Sequence, residues 1–306
     1  MPYLRLLCSG VITAGLVALQ VLSLETTVHG QDEELAISRL SIPLAKDAKP
    51  FCASETEDGR LLAFQNDHPE GRGRLDIWFS RLENGRWSVP FNAGPQVNTG
   101  SHEADAKLSP DGTVMIFLRS DDFSKSSGVY VSHFRDGSWS TAELLGPPIS
   151  LPDTVQFGAL LSKDLRRLYF SSNRSGGHGG FDVYTSDRIG SGWDRWGEPV
   201  NLGPVVNSAG DENDVAVNPD ETTLILPLRR NDSLSDSVDL YISRRVNAQW
   251  TPWQNMGPRI NTPGTDTCPW LGYDGRTLYL NSTWDGLVGG KEGATWIWAI
   301  RHSEEF

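Results

Sequence analysis

Beyond residue 47 the hydrophobic positions come as short runs, each preceded by a turn built on an aspartate. The turns are Glu57-Asp58-Gly59, Pro110-Asp111-Gly112, Lys163-Asp164-Leu165, Pro219-Asp220-Glu221 and Tyr273-Asp274-Gly275, with 53, 53, 56 and 54 residues from one aspartate to the next. A β-like run follows each turn, at 61–64, 113–118, 168–170, 223–226 and 277–280. After a polar loop a second run begins at Asp76-Ile77-Trp78, Gly128-Val129-Tyr130, Asp182-Val183-Tyr184, Asp239-Leu240-Tyr241 and Thr295-Trp296-Ile297-Trp298. A tryptophan (Trp87, Trp139, Trp193 or Trp196, Trp250) and a Gly-Pro pair (Gly94-Pro95, Gly146-Pro147, Gly203-Pro204, Gly257-Pro258) end the first four units. Asp-Gly turns between such runs are hairpin chemistry, because glycine accepts the positive φ a tight turn demands.

Units of four short strands repeating at about fifty residues are the signature of β-propeller blades. The sequence therefore predicts an all-β, five-bladed β-propeller with blades at about 47–100, 101–153, 154–208, 209–263 and 264–306. The fifth unit reaches Phe306 with no tryptophan and no Gly-Pro tail. A spare strand at 36–44 is expected to complete this last blade, so that the two ends of the chain pair and close the ring. Closure removes two sheet edges that would otherwise be open to foreign strands, and the repeated tryptophan is expected to pack between blades.

Residues 1–30 read differently. Arg5 is followed by an almost unbroken apolar stretch at 6–24 and by Val28-His29-Gly30, a small-residue site, which is the pattern of a cleaved signal peptide. The apolar stretch is also long enough for an uncleaved anchor. Either way the domain at 31–306 is expected outside the cytoplasm, periplasmic or secreted, with no membrane insertion of its own.

Charge and composition narrow the function classes. The 306 residues include 39 acidic against 27 basic side chains, a formal net charge of −12. Nucleic-acid binding and attraction to an anionic membrane both need a basic face, and neither is expected. Three cysteines are too few for a four-cysteine zinc module. The histidines of the repeat region, His68, His102, His133, His178 and His302, are scattered along the chain.

Two segments carry a resemblance. Ser171-Ser172-Asn173-Arg174-Ser175-Gly176-Gly177 followed by Asp182-Val183-Tyr184, and Glu103 ahead of Ser109-Pro110-Asp111-Gly112, resemble the Pro-Asp repeats of TolB-like, WD-like β-propeller proteins of the periplasm. The resemblance runs through nearly all of the mature chain, and the separate N-terminal domain of that family is not expected here. It implies fold far more than function, since such repeats serve many roles.

Counting back from each turn aspartate aligns the innermost strands. Eight residues before it stand Pro50, Glu103, Gln156, Glu212 and Asp266, and six before it stand Cys52, Asp105, Gly158, Asp214 and Cys268. With period-two alternation, the carboxylates Glu103, Asp105, Glu212, Asp214 and Asp266 are expected near the ring axis, where Arg119, Arg174, Arg229 and Arg230 after the second strands are placed to meet them. Two uses stay open. The acids either lock one blade to the next, the common role of the glutamate in the resembled repeat, or form a ligand site with Arg119, Arg174 and Arg229. No cofactor is expected, although an all-oxygen donor set would suit calcium. In a catalytic version Asp105, Asp214 and Glu212 are the candidate acids, by analogy with the inner-strand acids of five-bladed arabinanase- and levanase-type glycosidases, whose local motifs are not matched here. No Ser/His/Asp nucleophile context is visible.

Cys52 and Cys268 hold the same aligned position in blades that become neighbours when the ring closes. An exported protein meets oxidising conditions, so a disulfide across the closure is attractive; a Cα separation beyond about 7 Å would forbid it. Two functions from different classes follow. One is an exported, non-catalytic, monomeric scaffold binding a protein, peptide or glycan on loops held by a rigid ring, with Phe123, Phe181 and Trp284 as candidate contacts. The other is a glycoside hydrolase. The enzyme requires unpaired carboxylates facing an open pocket; the scaffold has them bonded between blades.

Overall fold

The structure, a computed structural model, describes residues 26–28, 35–44, 48–229, 237–283 and 296–306. The expected signal segment, apart from 26–28, lies outside the described residues, as do Arg230 and Trp284. Five antiparallel sheets make an all-β, five-bladed β-propeller. The innermost strands are Phe51–Glu55, His102–Leu108, Gln156–Leu161, Ala216–Val217 and Asp266–Leu271. The second strands are Leu61–Asn66, Val114–Asp122, Arg167–Ser172, Thr223–Arg229 and Thr277–Ser282, and the third are Asp76–Glu83, Ser126–Arg135, Asp182–Asp187, Val238–Val246 and Trp296–His302. Second strands are covered on both faces by neighbouring blades, which is why they carry consecutive apolar residues such as Met115-Ile116-Phe117 and Leu224-Ile225-Leu226, all fully buried.

Ring closure is made by the chain's own N-terminal strand. Leu35–Arg39 runs antiparallel to Trp296–His302 with Ile37 opposite Ile300, and Thr26–Val28 adds a further strand outside it. This strand is shorter than the 36–44 expected. One more bond, Leu40 N to Ile297 O at 3.1 Å, ends the pairing. Ile42 then turns into the hydrophobic core, and Pro43 has no N–H to give a ladder.

The seams between blades are filled by aromatic rings and by the Gly-Pro tails. Trp139 of blade two stacks on Phe79 of blade one at 5.6 Å, and Trp193 of blade three lies 5.4 Å from His133 of blade two. Each tail buries an apolar residue (Val97, Ile149, Val206, Ile260). In three tails the next residue is an asparagine whose amide replaces a strand. Asn98 accepts from Ile77 N and donates to Ile77 O, both at 2.9 Å, and Asn207 and Asn261 do the same for Val183 and Leu240.

The innermost strands are not regular. Cys52, Asp105, Gly158 and Cys268 have φ of 49°, 53°, 55° and 51°, and the pairing of these four strands with their second strands shifts register beside them. Each is a β-bulge, which breaks the period-two alternation and re-aims the bulged side chain. At two seams the displaced N–H is taken up by an amide from the neighbouring blade: Asp105 N donates to Gln65 Oε1 at 2.6 Å, and Cys52 N to Asn281 Oδ1 at 2.8 Å.

Cys52 and Cys268 are bonded, with Cα atoms 5.0 Å apart and a separation of 216 in sequence. The bond joins the innermost strands of the first and last blades, at the seam already closed by strand pairing. Replacing both cysteines with serine, or reducing the protein, is expected to lower the unfolding free energy by about 2–4 kcal/mol. Denaturant titration with and without reductant measures this, and coincident midpoints would rule the bond out.

Candidate functional site: the axial well

The innermost strands start at one end of the ring axis and run into the aspartate turns at the other. At the turn end the axis is blocked. Tyr273 of blade five donates its hydroxyl to Leu108 O of blade two at 2.6 Å, and Lys163 of blade three pairs with Glu57 of blade one at 2.6 Å. Buried Trp270 lies beside this plug. At the opposite end a cavity of about 810 Å³ opens, with Phe51, Phe157, Tyr241, Trp253, Asp105 and Asp214 in its wall.

The bulge position sets the chemistry of this well. Of the five aligned residues, four of them bulged, two are the bonded cysteines, one is glycine and two are acids, Asp214 being the one without a bulge. Gly158 is required there. Besides its positive φ, a Cβ at that point would stand 2.7 Å from both Asp214 Oδ1 and Val215 N, so the missing side chain makes room for blade four. Asp105 Oδ1 accepts from Lys107 Nζ at 2.6 Å, both side chains being more than nine-tenths buried. Asp105 Oδ2 is buried with no hydrogen-bond partner. Lys107 was not anticipated from the sequence. Its signal is a lysine placed between Ala106 and Leu108 on an innermost strand, where a charge is tolerated only when paired.

Asp214 is half-buried in the same wall, and its Oδ1 accepts from Val215 N at 2.9 Å. Burial, and after it the nearby Asp105 carboxylate, push its pKa up to about 8, with the Lys107 ammonium acting in the opposite sense.

The carboxylates eight residues before the turns sit differently. Glu103 accepts from Thr99 N at 3.0 Å, Thr99 Oγ1 at 2.6 Å and Arg119 Nε at 2.8 Å. Glu212 accepts from Ser208 N and Oγ at 3.0 and 2.5 Å, and Asp266 from Thr262 N and Oγ1 at 2.6 and 2.9 Å. All three are fully buried, and each closes the turn that leads in from the preceding blade. Burial raises the pKa of Glu212 and Asp266. Of the three, Glu212 also borders the well.

The arginines clamp the same linkers. Arg119 donates to Val97 O at 2.7 Å and lies 4.4 Å from the Tyr130 ring centre. Arg174, which was placed by sequence to meet the carboxylates, instead donates to Pro148 O and Ile149 O at 3.0 and 2.6 Å while covering Phe170 and Tyr184. Its partners are carbonyls because the preceding tail, not the axis, is within reach of the end of the second strand. Arg229 borders the well. Phe123, Phe157 and Phe181 form a row at the mouth, with ring centres 5.9 and 5.4 Å apart. Among the described residues no group of three His, Cys, Asp or Glu side chains is arranged to hold a metal ion.

No protein-family model and no curated protein sequence matches the chain. Its likeness is to solved structures. TolB from Acinetobacter baumannii superposes with a TM-score of 0.51 at 16% identity, over 86% of this chain and 56% of that one. The chain thus spans little more than half the length of that TolB. The catalytic domain of the GH62 α-L-arabinofuranosidase of Coprinopsis cinerea gives 0.54 at 10% identity, over 88% and 96% of the two chains. A thermostable family-43 glycoside hydrolase gives 0.54 at 10% identity, over 86% and 92%. At these identities the likeness is one of fold, shared with a TolB propeller and with glycoside hydrolases alike. The Cys52–Cys268 bond suggests an oxidising, extracytoplasmic setting.

Because the Asp214 pKa in the folded chain lies above the ordinary 3.8, its ionisation opposes folding. That cost is absent below about pH 4, grows as the pH rises to about 8 and is constant above. Asp214→Asn is expected to raise Tm at pH 8 and to change it little at pH 4; an equal shift at both would contradict the raised pKa. Lys107→Ala strands the Asp105 carboxylate and is expected to cost about 3–5 kcal/mol in denaturant titration.

Proposed function

We propose that the protein is an exported, non-catalytic binding scaffold, a monomer, whose protein, peptide or glycan partner engages the open end of the axial well in the periplasm or outside the cell. One observation carries this reading: the recurrent inner-strand carboxylates already have partners. Glu103, Glu212 and Asp266 hold the linkers between blades, and Asp105 holds Lys107. A retaining or inverting hydrolase needs two carboxyl groups released to substrate at a defined spacing. The half-buried row Phe123, Phe157, Phe181 at the mouth offers aromatic area on a rigid frame, the composition of a recognition surface.

A second reading, a glycoside hydrolase using Asp105 and Asp214 with Glu212 at the border, is favoured by one feature. Asp214 is an acid of raised pKa in the same cavity as a second carboxylate, the arrangement that gives a general acid beside a base.

The two are separated by incubating the purified protein with a polysaccharide panel. The scaffold reading expects no reducing sugar, together with capture of a partner from an extracytoplasmic extract that Phe123→Asp and Phe181→Asp abolish. Sugar release by the wild type that disappears in Asp105→Asn would establish the hydrolase instead.

A further inference from the structure

The well is lined by aromatic rings and by acids. Its sides carry Phe51, Phe157, Tyr241 and Trp253, and among the described residues the acids Asp105, Asp211, Glu212 and Asp214 border it with the cation Arg229. Lys107 is not part of the cavity wall, and its ammonium is bonded to Asp105 Oδ1 from behind. The other oxygen of that carboxylate, Oδ2, is buried without a partner. An unsatisfied buried carboxylate oxygen is costly; this one is closed off from the open space of the well, so a ligand there meets the half-buried Asp214 first.

These features select among ligands. An anion would meet Asp105 and Asp214. A purely apolar molecule would desolvate the half-buried Asp214 further. Among the described residues a bare metal ion finds no cluster of three His, Cys, Asp or Glu donors. An ammonium or guanidinium on a carbon stem matches both parts, since its donors suit the carboxylates and aromatic faces attract cations. The volume of about 810 Å³ is ample for such a group.

We propose that the axial well binds an organic cation, a primary ammonium or guanidinium received by Asp105 and Asp214, with its carbon stem among the aromatic side chains of the wall. This rests on the reading of the well as a binding site. The cation is either a free amine or the side chain of a lysine or arginine in a peptide, and the chemistry is the same for both. Among the described residues the charged groups around Asp214 are Asp105 and Lys107 of blade two and, on its own blade, Asp211, Glu212 and Arg229; the facing strands of blades three and five bring Gly158, Thr267 and Cys268, none of which titrates. Burial and the Asp105 carboxylate favour the protonated form of Asp214 and a bound cation favours the carboxylate, so uptake of a cation releases protons and affinity increases as the pH rises through the raised pKa.

The test is calorimetric titration of the purified full chain with three probes: agmatine, the peptide acetyl-Gly-Lys-Gly-amide, and the same peptide acetylated on the lysine nitrogen. At least one cationic probe is expected to bind at least tenfold more tightly than the acetylated peptide, to release a proton at pH 7, and to lose at least tenfold in affinity in Asp214→Asn, a variant expected to fold at least as well as wild type. Agmatine binding alone identifies a free amine, and peptide binding identifies a side chain. Equal binding of the charged and neutral peptides, no binding of any probe, or an unchanged affinity in Asp214→Asn overturns the proposal. Partner capture that is lost in Phe123→Asp would survive each of those results, so failure of the cation is distinguishable from failure of the binding scaffold.

Discussion

A propeller holds together only if its last blade grips its first. Every other seam in this chain joins blades that follow one another along the main chain, but the seam between blades five and one joins blades at opposite ends of the repeat. Three devices converge on it. The strand Leu35–Arg39 is supplied from before the first blade to the edge of the last. Asn281 of blade five takes the N–H of Cys52 in blade one. Cys52 and Cys268 are covalently joined at the innermost radius. The strand fixes the outside of the seam and the disulfide fixes its inside, so the ring is held at both ends of its radius.

Crowding at the axis follows from that closure. Five strands meet where there is space for only a few side chains, and the bulges in four of them decide which ones point inward. Two positions are occupied by the disulfide, one is left empty at Gly158, and the two that remain hold acids of unlike state. Asp105 is paired to a buried lysine, whereas Asp214 leans into the gap that the glycine leaves. The polar character of the well is thus a result of how the ring packs, and any recognition chemistry there has to work with charges that the fold already needs.

Legibility in the sequence was uneven for physical reasons. The repeat was visible because every blade reuses one turn, whose aspartate accepts from the backbone two residues on, as Asp111 does from Thr113 N and Asp274 from Arg276 N. The closing strand was visible as a remainder. The bulges were not, because a positive φ at Asp105 or Cys52 depends on amides some 40 and 229 residues away, Gln65 and Asn281, that belong to another blade. Regular alternation therefore put Glu103 and Asp105 on one side, whereas the chain sends one to the linker and the other to the axis. The linker asparagines Asn98, Asn207 and Asn261 were within reach of sequence reasoning, since each follows a buried valine or isoleucine just past a Gly-Pro pair. Arg174 was misplaced for want of knowing that the preceding tail folds under it.

The plug at the turn end gives the ring a polarity. Tyr273 and Lys163 span the axis from blades five and three to blades two and one, so the molecule has a floor as well as a rim. Some rings of blades act as conduits with a passage from face to face; this one is a cup. A ligand of the well would therefore enter and leave by the end opposite the plug.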